Sequence, residues 1–562
     1  MVTETKELEE RSDFLEKDQI QDWFISSEYF DNIQRKLIGT GAKLLIGPRG
    51  TGKTHQMLAA HFKCLKDKSK PVSLYVSFNR YYHLEPLLSR APNAIKVFNT
   101  WVLSKIVLSI VEFCEYTSLD PSSVFDNITF GKSKLEEFVG QAEKGYYRFE
   151  NEELISKINV SIVQSFIEKL ITISGRRRAI VFLDDAALTL TPDYLVEFFE
   201  VFVGLKSIRI SPKASVYPGT TEYGTKFHLG HDAEKVECWI NVSQDIESYS
   251  AFMDQLIEKR LKSVISDIDS DIIELLKFAS FGIPRAFLFL VRSFQQSNKS
   301  TRQSKFNEVI DLHSELIKAE YLSLSKKIPQ FSNIINVGYQ FFESVISLVS
   351  TTNKNLNNEK NLIIGLKKDS NRMIERMTQF LNEAGLLYKY SSNVSHGNDR
   401  EYERYSPHLL FLIKERAFAT GRGFDSKYML TKLLSPERKQ PVRRKYDTLI
   451  KQEELDKLNL NLPPCNNCGT VRIQDDQRFC HKCGAELIVS SAFENCMELD
   501  VSEIPFTPFQ LKAVKEANFT KIKDFYSVQN PGSELRKVKK VGVKRSGYII
   551  ELIDKVVDEF LT

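Results

Sequence analysis

Long hydrophobic runs are scarce in these 562 residues. No uninterrupted apolar stretch approaches the roughly 20 residues that cross a bilayer as a helix, so no membrane partner is expected. An excess of one charge is also missing. The 77 basic and 73 acidic residues leave a net charge of +4, and any contact with a polyanion must therefore come from a local basic surface. Cysteine is sparse over most of the chain. Cys64, Cys114, Cys238 and Cys496 are scattered, which argues against a disulfide framework and for a reducing, cytoplasmic setting. Residues Thr3 to Glu10 are acidic and polar, unlike a secretory signal. No nuclease, protease or deaminase constellation is present. The length exceeds what one core sustains, and about three or four domains are expected.

Against this background stands Gly47-Pro48-Arg49-Gly50-Thr51-Gly52-Lys53-Thr54, which fits G-x-x-x-x-G-K-[ST]. Leu44-Leu45-Ile46 before it has the length of a buried strand, and His55 to Ala60 after it opens like a helix. Strand, glycine turn and helix aim backbone N–H groups and a helix N-terminus at one point, which makes an anion site. The octapeptide is thus expected to bind ATP, with Lys53 reaching the β- and γ-phosphates and Thr54 holding Mg2+.

A second strand must bring an acid. Ile180 to Leu183 are apolar and end at Asp184 and Asp185. Asp184 is expected to hold Mg2+ through water, and Asp185 to polarise the attacking water. Asp is one methylene shorter than Glu, and a base must first reach its proton, so hydrolysis is expected to be slow or the site to act as a switch. Further strands are expected over 71–78, 214–217 and 236–242. Strands alternating with helices imply a parallel sheet covered on both faces, with ligands at its C-terminal edge. Residues 246–322 read as helical. Within them, Gly282 ends one helix and Pro284 opens the next, placing Arg285 in a first turn.

On these motifs the stretch of about 20–320 resembles the AAA+ ATPases, most closely the origin-recognition-like group. The resemblance implies an α/β P-loop core over 1–245 and a helical lid over 246–325. It implies that Arg285, in Gly-x-Pro-Arg, is the lid arginine that touches the γ-phosphate. It also implies a polar sensor after the strand between the P-loop and acidic strands, at Thr220 or Thr221. An arginine finger acting on a neighbouring copy is implied as well, and hence a homo-oligomer; Arg209 and Arg260 are possible, though neither has a motif.

Three modules follow. Residues 326–430 end in helix, strand, loop and strand, as a winged helix does. A helix opening near Asp369 or Ser370 would present Arg372 and Arg376 to DNA, and the alternative is a packing module with a solvated hairpin. Residues 431–460, Lys/Arg-rich over 437–445, read as a linker. In 461–490, Cys465, Cys468, Cys480 and Cys483 form C-x2-C-x11-C-x2-C, with Gly469 and Gly484 after the pairs. Four thiolates suit a closed structural Zn2+ site and leave His481 outside it. In 500–562, residues 535–546 resemble a helix-hairpin-helix turn. Gly542 stands at its second glycine, Lys540 replaces the first, and Lys544 and Arg545 match its basic pair. With Arg536, Lys537 and Lys539 the segment holds six basic residues and no acid, which favours a DNA phosphate contact. The stretch 503–561 resembles the C-terminal domain of the RNA polymerase α subunit.

The expected function is an ATP-dependent switch associated with DNA, as in replication, transposition or antiphage defence. The alternatives are a signalling ATPase acting on a separate protein effector, or a nucleotide-binding scaffold of slow turnover.

Overall fold

The computed structural model describes residue 15 and residues 17–561, apart from 79–83, 85–92, 126–130, 144–151, 186–191, 220, 222, 225–226, 243–245, 392–393, 396–400, 420–423, 474–476, 478, 486, 488–491 and 529. Its first unit is a five-stranded sheet of β1 (Lys43–Ile46), β2 (Val72–Ser77), β3 (Ala179–Asp184), β4 (Ile210–Val216) and β5 (Glu234–Glu237). The spatial order is β2-β3-β4-β1-β5, and every pairing is parallel.

Period-two alternation sends the strands' side chains to two opposite cores. Leu45, Ile180 and Phe182 face α1 (Glu28–Ile38) and α2 (Lys53–Lys66). Leu44, Ile46, Val181 and Leu183 face α3 (Ala94–Thr117), α4 (Val160–Ile173) and α5 (Pro192–Gly204). Each fully buried aliphatic side chain contributes about 1.5–3 kcal/mol, and burial on both faces explains why these strands read as continuous apolar runs. The fold is therefore an α/β P-loop architecture. α3 is long and apolar enough to cross a membrane by length and composition alone, but 72% of its most apolar window is buried inside the protein.

The fifth strand is shorter and earlier than the expected 236–242. After Glu237 the chain crosses the P-loop: Cys238 N–H still donates to Ile46 O at 2.7 Å, and Trp239 N–H turns to the Tyr29 hydroxyl at 3.1 Å. The helical lid follows as α6 (Ile246–Leu256), a π-helical turn at Ile257–Leu261, α7 (Ser270–Ala279), α8 (Pro284–Gln296) and α9 (Arg302–Lys327).

Next come α10 (Ser332–Lys354), β6 (Ile364–Lys367), α11 (Arg372–Glu383), β7 (Leu387–Lys389), β8 (Val394–Ser395), β9 (Glu401–Pro407) and β10 (Val442–Arg444). The cap of α11 is Asn371, whose Oδ1 accepts the Met373 N–H at 2.9 Å, not Asp369 or Ser370. β6, β7 and β8 each pair antiparallel with β9. The stretch 431–460 is not a free linker. Val442–Arg444 adds a strand parallel to β6, Glu437 accepts the Leu362 N–H at 2.7 Å, and Tyr446, Ile450 and Leu458 are buried. Its basic residues over 437–445 are half-buried or exposed, so the run reads as solvated although the residues around it pack. The lid and this unit share one core with the sheet: Trp239 lies 5.5 Å from the Phe281 ring and 4.8 Å from the Tyr388 ring.

The C-terminal helices are α12 (Ala492–Met497), α13 (Pro508–Glu516), α14 (Ile522–Ser527), α15 (Pro531–Arg536) and α16 (Val543–Leu561). They lean on the end of α9, where Asn495 Nδ2 donates to Lys327 O at 3.4 Å.

Candidate functional site

The P-loop closes between β1 and α2 because its glycines adopt backbone that other residues resist. Gly50 has φ of +84° and Gly52, the N-cap of α2, has +92°. Lys53 folds back over this loop. Its Nζ donates to Gly47 O at 2.6 Å and Pro48 O at 3.0 Å, and lies 4.4 Å from the Tyr217 ring centroid. Burial lowers the ammonium to about 8, while the neighbouring Asp185 and Asp184 act the other way. A phosphate oxygen would replace carbonyl acceptors with a charged one, a stronger partner.

The acidic strand ends beside it. Asp184 is fully buried, and its carboxylate accepts the Tyr75 hydroxyl at 2.8 Å and the Ser215 hydroxyl at 2.6 Å. Asp185 turns out of the strand with φ of +54°, a conformation that Asp tolerates better than most residues. Its N–H meets Asp184 Oδ1 at 3.0 Å and Ser215 Oγ at 2.8 Å. Thr54 and Asp185 line the cavity in front of Asp184. These hard oxygen donors suit Mg2+, with Asp184 set back behind the lining.

The lid closes the site from above. Gly282, with φ of +77°, and Pro284, at the first position of α8, turn the chain so that Arg285 N–H approaches Gly50 O at 3.4 Å. A Cβ on Gly50 would lie 2.9 Å from Arg285 Cβ. The cavity between the P-loop and the lid is about 630 Å³. Arg49, Lys53 and Arg285 line it at the P-loop, while Trp23, Phe30 and Phe252 give it an apolar end. Such a combination accepts a flat apolar group joined to a polyanion.

Arg260 also lines this cavity, with its guanidinium 4.6 Å from the Trp23 ring, so it faces its own chain's site. Arg209 precedes β4 at the opposite end of the strands and pairs with Glu168 at 2.8 Å. β4 does lie between the P-loop and acidic strands, as expected. Thr220 falls outside the described residues. Thr221 donates to Tyr217 O at 3.0 Å and is not among the cavity lining. Ser215 and Tyr217 are the β4-derived polar groups at the site, and neither was anticipated. Their alternate positions on the strand next to Asp184 were the available signal.

In α11, Arg372 is exposed, whereas Arg376 stacks 5.0 Å from the Phe331 ring and 5.3 Å from the Phe380 ring. At the C-terminal turn, Lys539, Lys540, Gly542, Lys544 and Arg545 are exposed. Lys540 has φ of +72° and so takes the left-handed backbone suited to the glycine it replaces. Arg545 donates to Lys540 O at 2.7 Å, and Lys537 pairs with Glu534 at 2.6 Å. α16 has no acid in its first turn.

The four cysteines converge. Their Sγ atoms all lie within 4.8 Å of one another, with Cys465–Cys483 and Cys468–Cys480 at 3.5 Å. Gly469 and Gly484 N–H donate back to Cys465 O and Cys480 O, forming two matching knuckles. Tetrahedral zinc with bonds of about 2.3 Å to sulfur spaces its thiolates at a little under 4 Å, so the cluster fits the metal. His481 stands apart from it, near Gln477 Nε2.

Residues 9–193 match the model of the ORC-CDC6-like family. This stretch carries an ORC-CDC6-like domain. The match holds the P-loop and the acidic strand and stops before β4, so the lid, ribbon and C-terminal helices lie beyond the ORC-CDC6-like match. No curated protein matches the chain. Among solved structures it is similar to the Walker-type ATPase PABY2304 of Pyrococcus abyssi, at 12% identity and a TM-score of 0.39, covering 70% of this chain and 96% of that one. It is also similar to the Aeropyrum pernix ORC1 protein in complex with DNA, at 12% identity and a TM-score of 0.28, covering 70% and 93%. The fold assignment rests on the chain's own strand order and P-loop geometry.

Proposed function

We propose that the chain is an ATP-binding AAA+ switch that hydrolyses ATP slowly and contacts DNA through its C-terminal modules in the cytoplasm. The observation that carries this reading is the convergence of Lys53, Arg49, Arg285 and Asp185 on one cavity that also has an apolar lining, with Asp184 held directly behind Asp185. Lys53 and Arg285 hold the phosphates, Thr54 and Asp184 hold Mg2+, and Asp185 orients water. Mg2+ supplies charge neutralisation on the transferring phosphoryl group. Asp185 is short and fixed by its N–H bonds, which fits slow turnover. The polar sensor after β4 is assigned to Thr220 or Thr221, and an arginine from a second copy completes a homo-oligomeric site. Zn2+ at Cys465, Cys468, Cys480 and Cys483 holds the ribbon together.

DNA contact is assigned to Lys537, Lys539, Lys540, Gly542, Lys544 and Arg545, which surround an acid-free helix start. Each phosphate neutralised adds salt dependence. The test is ATP turnover with and without duplex DNA across a salt series, repeated after deleting 500–562. Stimulation that fades steeply with salt and vanishes in the truncated protein supports the reading, and an absence of DNA binding at low salt refutes the DNA part.

A second reading is a signalling ATPase that works on a protein effector. It is favoured by the ribbon, where Val471, Ile473 and Phe479 are 71%, 70% and 60% exposed. Retained turnover with no DNA response would select it. ATP binding without turnover would select a scaffold instead.

A further inference from the structure

The chain leaving β4 brings an aromatic ring to the lysine of the P-loop, and nothing in the G-x-x-x-x-G-K-[ST] pattern calls for one. The strand register puts it there. Val216 lies opposite Ile46, and Gly47 N–H donates to Val216 O at 3.5 Å, so Tyr217 leaves the sheet beside the start of the P-loop. Pro218 biases Tyr217 towards extended backbone, and the Thr221 hydroxyl pins its carbonyl at 3.0 Å. The Tyr217 side chain lines the cavity, with Lys53 Nζ 4.4 Å from the ring centroid. Lys53 is 8% exposed, so its ammonium has given up most of its water. Of its three N–H donors, two go to Gly47 O and Pro48 O at 2.6 and 3.0 Å, both neutral acceptors. The ring face adds a negative potential that these carbonyls do not match in area.

We propose that Tyr217 is the positioning residue for Lys53: its ring face holds the ammonium at the phosphate end of the cavity in place of water. The inference rests on the reading of the cavity as a nucleotide site. A hydrogen bond to a carbonyl is directional, whereas a ring attracts a cation over its whole face. Lys53 can therefore turn from Gly47 O and Pro48 O to a phosphate oxygen without losing the ring. The cost of ordering a long side chain is met before the nucleotide arrives, which raises affinity for any phosphate chain that reaches Lys53. The hydroxyl of Tyr217 has no part in this, and an aliphatic side chain of similar bulk could not replace the ring.

The test uses the full chain and titration calorimetry with ADP, beside melting temperatures, on the unmodified protein, Tyr217→Phe and Tyr217→Leu. Tyr217→Phe is expected to bind ADP within about twofold of the unmodified protein and Tyr217→Leu about tenfold more weakly, a usual size for a cation over a ring shielded from water. In a Lys53→Met background, Tyr217→Leu is expected to change ADP affinity by less than about twofold, because its partner is already gone. An equal loss in both backgrounds, or a loss in Tyr217→Phe as large as in Tyr217→Leu, overturns the role of the ring and leaves the nucleotide site standing. Should Tyr217→Leu not fold, phenylalanine with successive ring fluorines at this position keeps the shape and drains the ring face of its negative potential. Affinity is then expected to fall with each fluorine, and an unchanged affinity overturns the proposal. Failure of the unmodified protein to bind ADP overturns the nucleotide site and the proposal together.

Discussion

Ser215 Oγ donates to Asp184 Oδ1 at 2.6 Å while accepting the Asp185 N–H at 2.8 Å, so one hydroxyl on β4 fixes both acids. Asp184 is fully buried, and its other oxygen has Tyr75. Ser215→Ala removes a donor from a buried carboxylate, a loss of about 1–3 kcal/mol. It also frees the turn that aims Asp185. The expected outcome is a lowered melting temperature and a turnover number reduced about tenfold, with nucleotide affinity within about twofold of the original. Calorimetry beside an ATPase assay separates the two effects, and equal losses in binding and turnover would contradict the assignment.

The Lys53 ammonium gives nucleotide binding a pH dependence of defined sign. Burial lowers it to about 8 in the free protein. A polyphosphate binds the charged form and pulls the proton back, so affinity is flat below neutrality and weakens as pH rises through about 8. The limit is about tenfold per pH unit above that. Lys53→Met is expected to weaken binding at pH 7 about 100-fold, the loss of a charge-assisted contact, and to flatten the profile. Dissociation constants at pH 7, 8 and 9 check both expectations.

The P-loop, the acidic strand, the lid turn and the cysteine cluster were legible because each is a local pattern. Lys53, Asp185 and Arg285 reach one cavity from three distant segments, yet each sits on a motif that fixes its own backbone. What was not legible came from contacts between elements. Ser215 and Tyr75 hold Asp184 from the two strands that flank β3, and alternation along each strand points to them only once the strand order is known. Arg376 was read as facing DNA because its helix begins like a recognition helix, but Phe331 and Phe380 claim its guanidinium. Likewise Val442–Arg444 was hidden in a basic run, since a short edge strand has too few residues to show its period.

The ribbon is expected to lose its metal without affecting the nucleotide site. Cys465, Cys480 and Leu487 form a small core separate from the two large ones. A closed four-thiolate site of this kind folds with its metal. About one zinc per chain is expected, released by a mercurial reagent or by Cys468→Ala with Cys483→Ala. ADP affinity should stay within about twofold, because binding terms at distant, independent sites add. Zinc analysis beside calorimetry decides, and a collapse of ADP binding on metal loss would show that the ribbon supports the ATPase unit.

Three glycines give a graded test of how the lid is seated. Gly52, Gly50 and Gly282 all have positive φ, at +92°, +84° and +77°, so alanine at each costs about 1–2 kcal/mol in backbone strain. Their surroundings differ. A Cβ on Gly52 meets nothing within 4 Å, and Gly52→Ala should cost only the strain. On Gly50 it meets Arg285 Cβ at 2.9 Å and Ile283 Cγ2 at 3.0 Å, and these lid side chains can retreat. Gly50→Ala should therefore cost slightly more stability while moving Arg285 off the phosphate end, weakening triphosphate binding. On Gly282 the new atom falls 2.1 Å from Ile240 O, a backbone oxygen held between the sheet and the lid. Gly282→Ala should cost the most, about 3 kcal/mol or more. Melting temperatures of the nucleotide-free proteins should fall in the order Gly52→Ala, Gly50→Ala, Gly282→Ala. A Gly282→Ala protein as stable as the Gly52→Ala protein would mean that the lid is not seated on Ile240.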